Sequence, residues 1–230
     1  MGCALTVCPV KTTLITGGSS GIGLALARRL VADGQAVAVT GRDETRLAQV
    51  PGVLRLPGDA TDHDSVRDAV EATVKEYGRL DHVVANAGFS THGPFTETDP
   101  DRLRDMVLTN VLGPALLVKA ALPALRETRG RIVLIGSVAG FRHAPGNMYS
   151  VTKWAVTALA ENTRLLVTGD GVGVTLIAPG RVDTAFWPDG RPDGPLLTAE
   201  NIADAVAWAM AQPEGVDVNT VVVRPTGQPA

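Results

Sequence analysis

The sequence has few of the features that nucleic-acid-binding or membrane-spanning proteins need. Its 230 residues include 21 basic and 24 acidic side chains, and the net charge of −3 predicts no basic surface for nucleic acid. Aromatic residues make up only 4%, too few for base-stacking platforms. No unbroken apolar run reaches the roughly 18 residues that cross a bilayer. The longest candidate, 111–125, is interrupted by Gly113, Pro114, Lys119 and Pro123.

Cysteine and histidine are scarce and are badly placed for disulfides or metal sites. Cys3 and Cys8 both lie in a short leader, residues 1–10, and the four histidines lack metal-ligand spacing, so no metal is expected. The first six residues match a myristoylation pattern, but a strand follows within a few residues and argues against it. The leader also lacks the basic segment of a signal peptide. We therefore predict a cytoplasmic protein without a membrane or nucleic-acid partner.

The rest of the chain alternates between short β-branched runs and segments with helical periodicity. Hydrophobic residues make up 45% and charged residues 20%, a balance typical of a folded domain, and the length suits a single domain, 1–230. The predicted strands are Thr12–Thr16, Ala36–Thr40, Val53–Leu56, His82–Asn86, Arg131–Gly136, Gly173–Ala178 and Thr220–Arg224. The main predicted helices are Ile22–Ala32, Asp64–Tyr77 behind a capping Asp62, Asp101–Leu125, Tyr149–Val167 and Ala199–Met210.

This alternation predicts an α/β fold with a doubly wound, seven-stranded parallel sheet and helices on both faces. Most of the strands are unbroken apolar runs, as expected when both faces of a strand are buried. Ligands of such sheets bind beyond the carboxyl ends of the strands, where the strand order reverses. Functional residues should therefore directly follow the strands.

A glycine cluster, 16–23 (Thr-Gly-Gly-Ser-Ser-Gly-Ile-Gly), joins the first strand to the first helix. Glycines there permit a tight turn and let backbone amides approach a pyrophosphate at the helix N-terminus. The segment 17–21 also matches the nucleophile elbow of hydrolases, but no histidine follows His143 to complete that triad. A P-loop would need Lys-Ser/Thr where Leu24 and Ala25 stand. A tight turn without a ligand remains a further alternative.

Further motifs follow the later strands in a fixed order. They are Asp59-Ala60, Asn86-Ala87-Gly88, Asn110, Ser137, the segment 149–153 (Tyr-Ser-Val-Thr-Lys) and the segment 179–184 (Pro-Gly-Arg-Val-Asp-Thr). Together with the glycine turn, this series from about 11 to 224 resembles the classical short-chain dehydrogenases/reductases. The resemblance implies a Rossmann domain and an NAD(P)-dependent oxidoreductase acting on a small carbonyl compound or alcohol.

Tyr149 and Lys153 suit proton transfer by their chemistry alone. Their spacing of four residues places both on one face of a helix. A nearby ammonium stabilises a phenolate, so we expect the tyrosine pKa to move from about 10 toward neutrality. A surface Tyr-Lys pair without function is the alternative to this interpretation.

The resemblance implies roles for the remaining motif residues. Ser137 would hold the substrate oxygen, and Asn110 would hold a water that links Lys153 to solvent. The expected catalytic set is Asn110, Ser137, Tyr149 and Lys153. The expected cofactor-binding residues are Gly17, Ser19, Ser20, Gly21, Ile22, Gly23, Arg42, Asp59, Ala60, Asn86, Ala87, Gly88, Tyr149, Lys153, Pro179, Gly180, Val182 and Thr184. Asn86 could also tie neighbouring strands together, and Pro179-Gly180 could serve as a turn.

NADP(H) is the expected cofactor, with NAD(H) as the alternative. An NAD-selective site carries a carboxylate at the end of the second strand, but that position is Gly41 here. Arg42 can present its guanidinium to a ribose phosphate. Asp43 would oppose the phosphate unless it caps a helix beginning near Glu44, which is what we expect.

Other features concern partners and substrate. Trp154, Val156 and Leu159 cover more than one face of their helix, which predicts a homo-oligomer. The resemblance implies a homodimer through the two long helices, or a homotetramer. Residues 185–198 should form a substrate lid, rich in proline and glycine and without a long helix, with Phe186 and Trp187 as apolar contacts. A catalytically silent nucleotide-binding regulatory protein is the alternative function, since a fold does not guarantee a reaction.

Overall fold

The computed structural model describes residues 10–187 and 190–228 and contains one parallel sheet of seven strands in the order β3-β2-β1-β4-β5-β6-β7. The predicted doubly wound sheet is confirmed, with strand bounds within about a residue of those expected. The strands are β1 (Thr12–Ile15), β2 (Ala36–Gly41), β3 (Leu54–Pro57), β4 (His82–Ala85), β5 (Arg131–Ile135), β6 (Gly173–Pro179) and β7 (Thr220–Val223).

The helices begin where the sequence supplies side-chain caps. Asp62 accepts a hydrogen bond from the Ser65 backbone N–H, and Asp43 accepts one from that of Arg46, so both predicted caps are confirmed. The helices are α1 (Gly21–Ala32), α2 (Glu44–Ala48), α3 (His63–Tyr77), α4 (Pro100–Val107), α5 (Gly113–Thr128), α6 (Met148–Val167) and α7 (Ala199–Met210).

The helix expected over Asp101–Leu125 is not uniform. A π-helical turn, Leu108–Leu112, separates α4 from α5, and the Gly113 N–H bonds to the Leu108 carbonyl. Pro114 explains the irregularity, because it has no N–H for the carbonyl of Asn110 four residues earlier and its ring crowds that carbonyl. The sequence contained the signal, but a continuous helix was predicted there.

Two apolar cores lie on opposite faces of the sheet. One contains Leu26 and Leu30 of α1 together with Val206 and Met210 of α7. The other contains side chains of α3, α5 and α6, among them Val70, Leu117 and Val156. Burial of both faces explains the unbroken apolar runs of the central strands.

The stretch Pro100–Thr128 requires one correction. It is 29 residues long, and by length and composition alone it could cross a membrane. The sequence interpretation counted its glycine and prolines as breaks, whereas they lie within one helical stretch. Within this stretch, 44% of the most apolar 18-residue segment is buried, and Leu117, Ala121 and Leu125 pack in the core beside β4 and β5. We therefore treat it as a core helix.

The apolar surface of α6 differs from the expectation. Val156 is buried in the core and Leu159 packs against it, so these two residues do not extend the exposed face. Trp154 is exposed as expected, together with Val151, Leu165 and Leu166. The predicted leader with Cys3 and Cys8, except residue 10, lies outside the described residues, as does Pro188 of the lid.

Candidate active site

The glycine turn after β1 is closely packed by protein atoms. Gly17 and Gly21 adopt φ values of +66° and +50°, which other residues rarely adopt. A Cβ at Gly17 would lie 3.0 Å from the Ala87 Cα, and one at Gly23 would overlap the Gly17 carbonyl oxygen. The turn thus rests against the segment that follows β4, at the point where the strand order reverses.

The N-terminus of α1 lacks a side-chain cap. The same is true of α5, but α5 continues directly from the π-helical turn, whereas α1 begins after a loop. Ser20 makes no side-chain capping hydrogen bond, and the first turn contains no acidic residue. By contrast, Asp62, Asp99, Asn147 and Thr198 cap α3, α4, α6 and α7 with their side chains. Uncapped amides at a positive helix end fit a phosphate group.

Serine and threonine side chains flank this turn. Thr184, after β6, lies 3.5 Å from the position of a Cβ at Gly21, so the ends of β1 and β6 converge there. The Ser19 hydroxyl would be 3.0 Å from a Cβ at Gly41, at the end of β2. A carboxylate side chain at position 41 would therefore crowd Ser19.

Arg42 is exposed and directly follows Gly41, the residue that approaches Ser19. Among the ion pairs formed within residues 10–187 and 190–228, none includes Arg42. Asp43 is engaged instead with Arg46, through the backbone N–H at 2.9 Å and the guanidinium at 2.6 Å. This backbone hydrogen bond is the main cause that lowers the pKa of the Asp43 carboxyl.

The motif residues after β3 and β4 shape the same cleft. The Asp59 carboxylate accepts hydrogen bonds from the Thr61 N–H and hydroxyl at 2.8 and 2.9 Å, which fixes the turn. The Asn86 amide donates to the carbonyls of Thr16 and Gly17, each at 3.0 Å. The expected tie between neighbouring strands is therefore present. Ala60 lies against Gly113, at the start of α5.

Tyr149 and Lys153 lie together on α6, facing the end of β5. The Lys153 ammonium lies 5.6 Å from the centre of the Tyr149 ring and donates to the Ile135 carbonyl at 2.8 Å. Ser137 follows β5 and accepts a hydrogen bond from the Ala139 N–H at 3.1 Å. Lys153 is only 5% exposed, so its charge has little access to water.

Burial shifts the pKa of both groups. Desolvation lowers the pKa of Lys153 to about 8. It also raises the pKa of Tyr149 to about 12, against an opposing effect of the Ser137 hydroxyl. The expectation of a lowered tyrosine pKa was wrong, because desolvation of the phenolate exceeds the stabilisation it receives and Lys153 bonds to Ile135 instead of to the phenol oxygen.

Asn110 is held in the π-helical turn by its side chain. Its amide accepts from the Phe89 N–H at 3.0 Å and donates to the Phe89 carbonyl at 2.9 Å and to the Thr152 hydroxyl at 3.0 Å. A Cβ at Gly88 would lie 3.0 Å from the Asn110 oxygen and 3.8 Å from the Lys153 nitrogen. Asn110 and Lys153 therefore flank the segment after β4.

Three of the predicted binding residues pack against other parts of the protein. A Cβ at Gly180 would overlap the Gln228 side chain, and the Gly180 N–H bonds to the Val223 carbonyl at 2.7 Å. The Val182 side chain is buried in the core, and its carbonyl accepts from the Trp187 indole at 2.8 Å. Pro179 ends β6 beside Val223.

His92, in the loop after β4, lies in an aromatic cluster that reaches Tyr149. Its ring centre is 5.2 Å from that of Phe186 and 5.5 Å from an indole ring centre of Trp187. The Phe186 ring lies 5.4 Å from that of Tyr149. Phe186 and Trp187 were expected as apolar contacts, whereas His92 carried no sequence signal beyond following β4. The described lid residues form no helix, as expected.

Comparisons with known proteins give a consistent result. A family model described as short chain dehydrogenase matches residues 11–193. An uncharacterized oxidoreductase of Staphylococcus epidermidis is 35% identical over 224 residues, covering 94% of this chain and 97% of the relative.

Two solved structures are also similar. An alcohol dehydrogenase from the archaeon Thermococcus sibiricus, complexed with 5-hydroxy-NADP, superposes with a TM-score of 0.89 at 29% identity, covering 96% of this chain and 99% of the other. A 3-ketoacyl-(acyl-carrier-protein) reductase from Brucella melitensis, complexed with NADH, gives 0.86 at 25% identity, with 93% and 96% covered. These two proteins carry different nicotinamide cofactors.

Proposed function

The chain belongs to the short-chain dehydrogenase family of oxidoreductases, and from this premise we propose that it transfers a hydride reversibly between NADP(H) and a small carbonyl compound or secondary alcohol. The observation that carries the proposal is the buried Lys153 beside Tyr149, with Ser137 at the end of β5. A buried lysine whose pKa is lowered costs stability, and a purely structural helix would gain nothing from it.

In the reducing direction, Tyr149 donates its proton to the substrate oxygen. Its pKa of about 12 keeps the hydroxyl protonated at neutral pH, as an acid in this direction must be. Ser137 holds the same oxygen by a hydrogen bond. The bound nicotinamide supplies the hydride to the carbonyl carbon, so hydride and proton together yield the alcohol.

Lys153 and Asn110 return the proton to Tyr149. Lys153 stabilises the phenolate left after proton donation and also binds the nicotinamide ribose. Both N–H groups of the Asn110 side chain donate to Phe89 and Thr152, and its oxygen accepts from the Phe89 N–H. We therefore assign its relay role to the main-chain carbonyl, which Pro114 leaves without a helical donor, and that carbonyl holds the water that connects Lys153 to solvent.

The cleft from the α1 N-terminus to the end of β2 would hold the nucleotide. Amides at residues 20–22 bind the pyrophosphate, as the missing side-chain cap supports. Ser19 and Arg42 bind the ribose phosphate of NADP(H), because position 41 has no carboxylate and Asp43 is occupied with Arg46. Asp59 and Ala60 would border the adenine, and Thr184 would contact the nicotinamide carboxamide.

We also propose that the protein is a homo-oligomer. Val151, Trp154, Leu165 and Leu166 expose apolar side chains on α6, each between 39% and 67% accessible. An exposed apolar face of this kind is typical of a contact with a second copy.

The test is a screen of carbonyl compounds with NADPH and NADH, paired with Tyr149→Phe. The variant should lose at least ten-fold in kcat, because the hydroxyl acts in the chemical step, while its dissociation constant for NADPH stays within about two-fold. NADPH binding without turnover of any carbonyl would favour the silent regulatory protein. A variant that keeps more than about a tenth of the wild-type kcat would refute the acid role.

A further inference from the structure

We propose that His92 is a positioning residue that fixes Phe186 and Trp187 over Tyr149, and that this wall selects uncharged carbonyl compounds bearing an aryl or similarly flat apolar group. The inference rests on the proposed function for Tyr149. It goes beyond that function by naming the substrate class and the residue that sets it.

The two residues of the wall are held at three points. The Phe186 carbonyl accepts a hydrogen bond from the His92 ring at 2.9 Å, and the Phe186 N–H donates to the Thr184 hydroxyl at 3.3 Å. The Trp187 indole donates to the Val182 carbonyl at 2.8 Å. Because a carbonyl only accepts, the His92 Nε2 carries the proton in this contact. His92 provides the sole bond of the three that comes from outside the 182–187 segment.

His92 is itself held in an uncommon backbone conformation. Its φ is +43°, in the left-handed region that few residues other than glycine adopt, although histidine and asparagine are enriched there. Its N–H bonds to the Ser90 hydroxyl at 3.2 Å, and its ring contacts both Phe186 and Trp187. A conformation of this kind persists where the surroundings hold it, and it directs the ring at the Phe186 carbonyl.

The chemistry of the cluster indicates what it accepts. The Phe186 ring lies edge-on to those of His92 and Trp187, with interplanar angles of 77° and 84°, and it contacts Tyr149. Aromatic pairs favour such geometry, so a flat apolar group beside the carbonyl would extend the packing. His92, Tyr149, Phe186 and Trp187 include no carboxylate, lysine or arginine, and the nearby Lys153 ammonium already donates to the Ile135 carbonyl. A carboxylate placed against the wall would therefore lose hydration without gaining a fixed partner.

The substrate class is tested with three probes that share an activated carbonyl: 1-phenyl-1,2-propanedione, 2,3-butanedione and pyruvate. We expect kcat/KM for the phenyl compound to exceed that for butanedione by about ten-fold or more, since burial of a phenyl group supplies the difference. Pyruvate should be the poorest of the three. Equal or better use of butanedione or pyruvate overturns the substrate class, as does turnover of other carbonyls but none of these three.

The role of His92 is tested with His92→Gln and His92→Asn. Glutamine places its amide nitrogen at the reach of Nε2, whereas asparagine tolerates the positive φ better but falls short of Phe186. We expect His92→Asn to raise KM for the phenyl compound roughly 3- to 10-fold, with kcat within about two-fold of the wild type. In His92→Gln, KM should stay close to the wild-type value. The reverse order, or a loss confined to kcat, overturns the positioning role.

A readout independent of activity separates this inference from the proposed function. In protein labelled with 5-fluorotryptophan, the three tryptophans give three fluorine resonances, and Trp187→Phe assigns one of them. The Trp187 resonance should move in His92→Asn and stay in place in His92→Gln. Equal movement in both variants, or in neither, refutes the positioning role. NADPH binding without turnover of any carbonyl refutes the proposed function and with it the substrate class, and the fluorine spectrum then decides the role of His92 alone.

Discussion

Replacing Lys153 with methionine should abolish activity and change how stability depends on pH. In the folded protein the Lys153 pKa is lowered from 10.5 to about 8, with burial as the cause. A base with a lowered folded pKa binds fewer protons folded than unfolded, so stability rises as pH increases from 8 to 10.5. Lys153→Met removes this dependence. The wild type should therefore gain stability relative to the variant as pH rises.

The size of the effect follows from the pKa interval. At about 1.36 kcal/mol per pH unit, the interval from 8 to 10.5 corresponds to roughly 3 kcal/mol, of which about 2 falls between pH 7 and pH 10. Little discount for solvent is needed, because Lys153 is 5% exposed. The variant also leaves the Ile135 carbonyl without its donor, at a cost of about 1–3 kcal/mol that does not vary with pH.

Urea denaturation at pH 7, 8, 9 and 10 measures this difference, with both proteins at one concentration so that any association contributes alike. Lys75→Met, at an exposed position in the last turn of α3, controls for the loss of one positive charge. We expect the free energy of unfolding of the wild type to rise against that of Lys153→Met by roughly 2 kcal/mol across this range. A difference that stays constant, or that shrinks with pH, would refute the reasoning.

Three further predictions concern the cofactor preference, the two tyrosines and the oligomeric state. Arg42→Ala should lower the NADPH-over-NADH ratio of kcat/KM by about ten-fold or more, because Arg42 directly follows Gly41, which approaches Ser19. Arg67→Ala on α3, which removes an arginine paired with acidic side chains of its own helix, should leave the ratio unchanged. Burial raises the pKa of Tyr77 and Tyr149, the two tyrosines of the chain, so absorbance at 295 nm should show little phenolate below about pH 10, and an earlier rise would contradict the raised values. Light scattering should give a multiple of 23.9 kDa, and Leu166→Glu should shift the protein toward the monomer; a monomeric wild type would rule out the homo-oligomer.

The sequence predicted the sheet well because local signals and tertiary burial agree there. The central strands are short β-branched runs that are buried on both faces, and the caps Asp43 and Asp62 mark helix starts with side chains that bond the first turn. The π-helical turn at Leu108–Leu112 was missed although its cause, Pro114, was visible. Helical periodicity is insensitive to one wider turn, so only the missing N–H of the proline carries that information.

The site, like the fold, was predictable from the sequence only in part. The order of motifs predicts that Ser137, Tyr149 and Lys153 meet, because each follows a parallel strand or lies on the helix after one. It does not predict the direction of the Tyr149 pKa shift, since desolvation depends on what the fold places around the hydroxyl. It also does not predict His92, whose role depends on a φ of +43° and on a contact 94 residues away in the chain.

Two features of this site lower the stability of the folded protein, and the fold itself requires neither of them. Lys153 is buried with a single bond to Ile135, and the α1 N-terminus is left without a side-chain cap. Each feature weakens the folded protein, since an uncompensated buried charge and an uncapped helix end are both unfavourable. In the complex proposed above, a bound dinucleotide would offset both at once, because its phosphates would meet the helix amides and its ribose would accept from the lysine. Because Lys153→Met should bind NADPH more weakly, a given NADPH concentration should stabilise the wild type by more than it stabilises the variant, which thermal denaturation with and without NADPH measures.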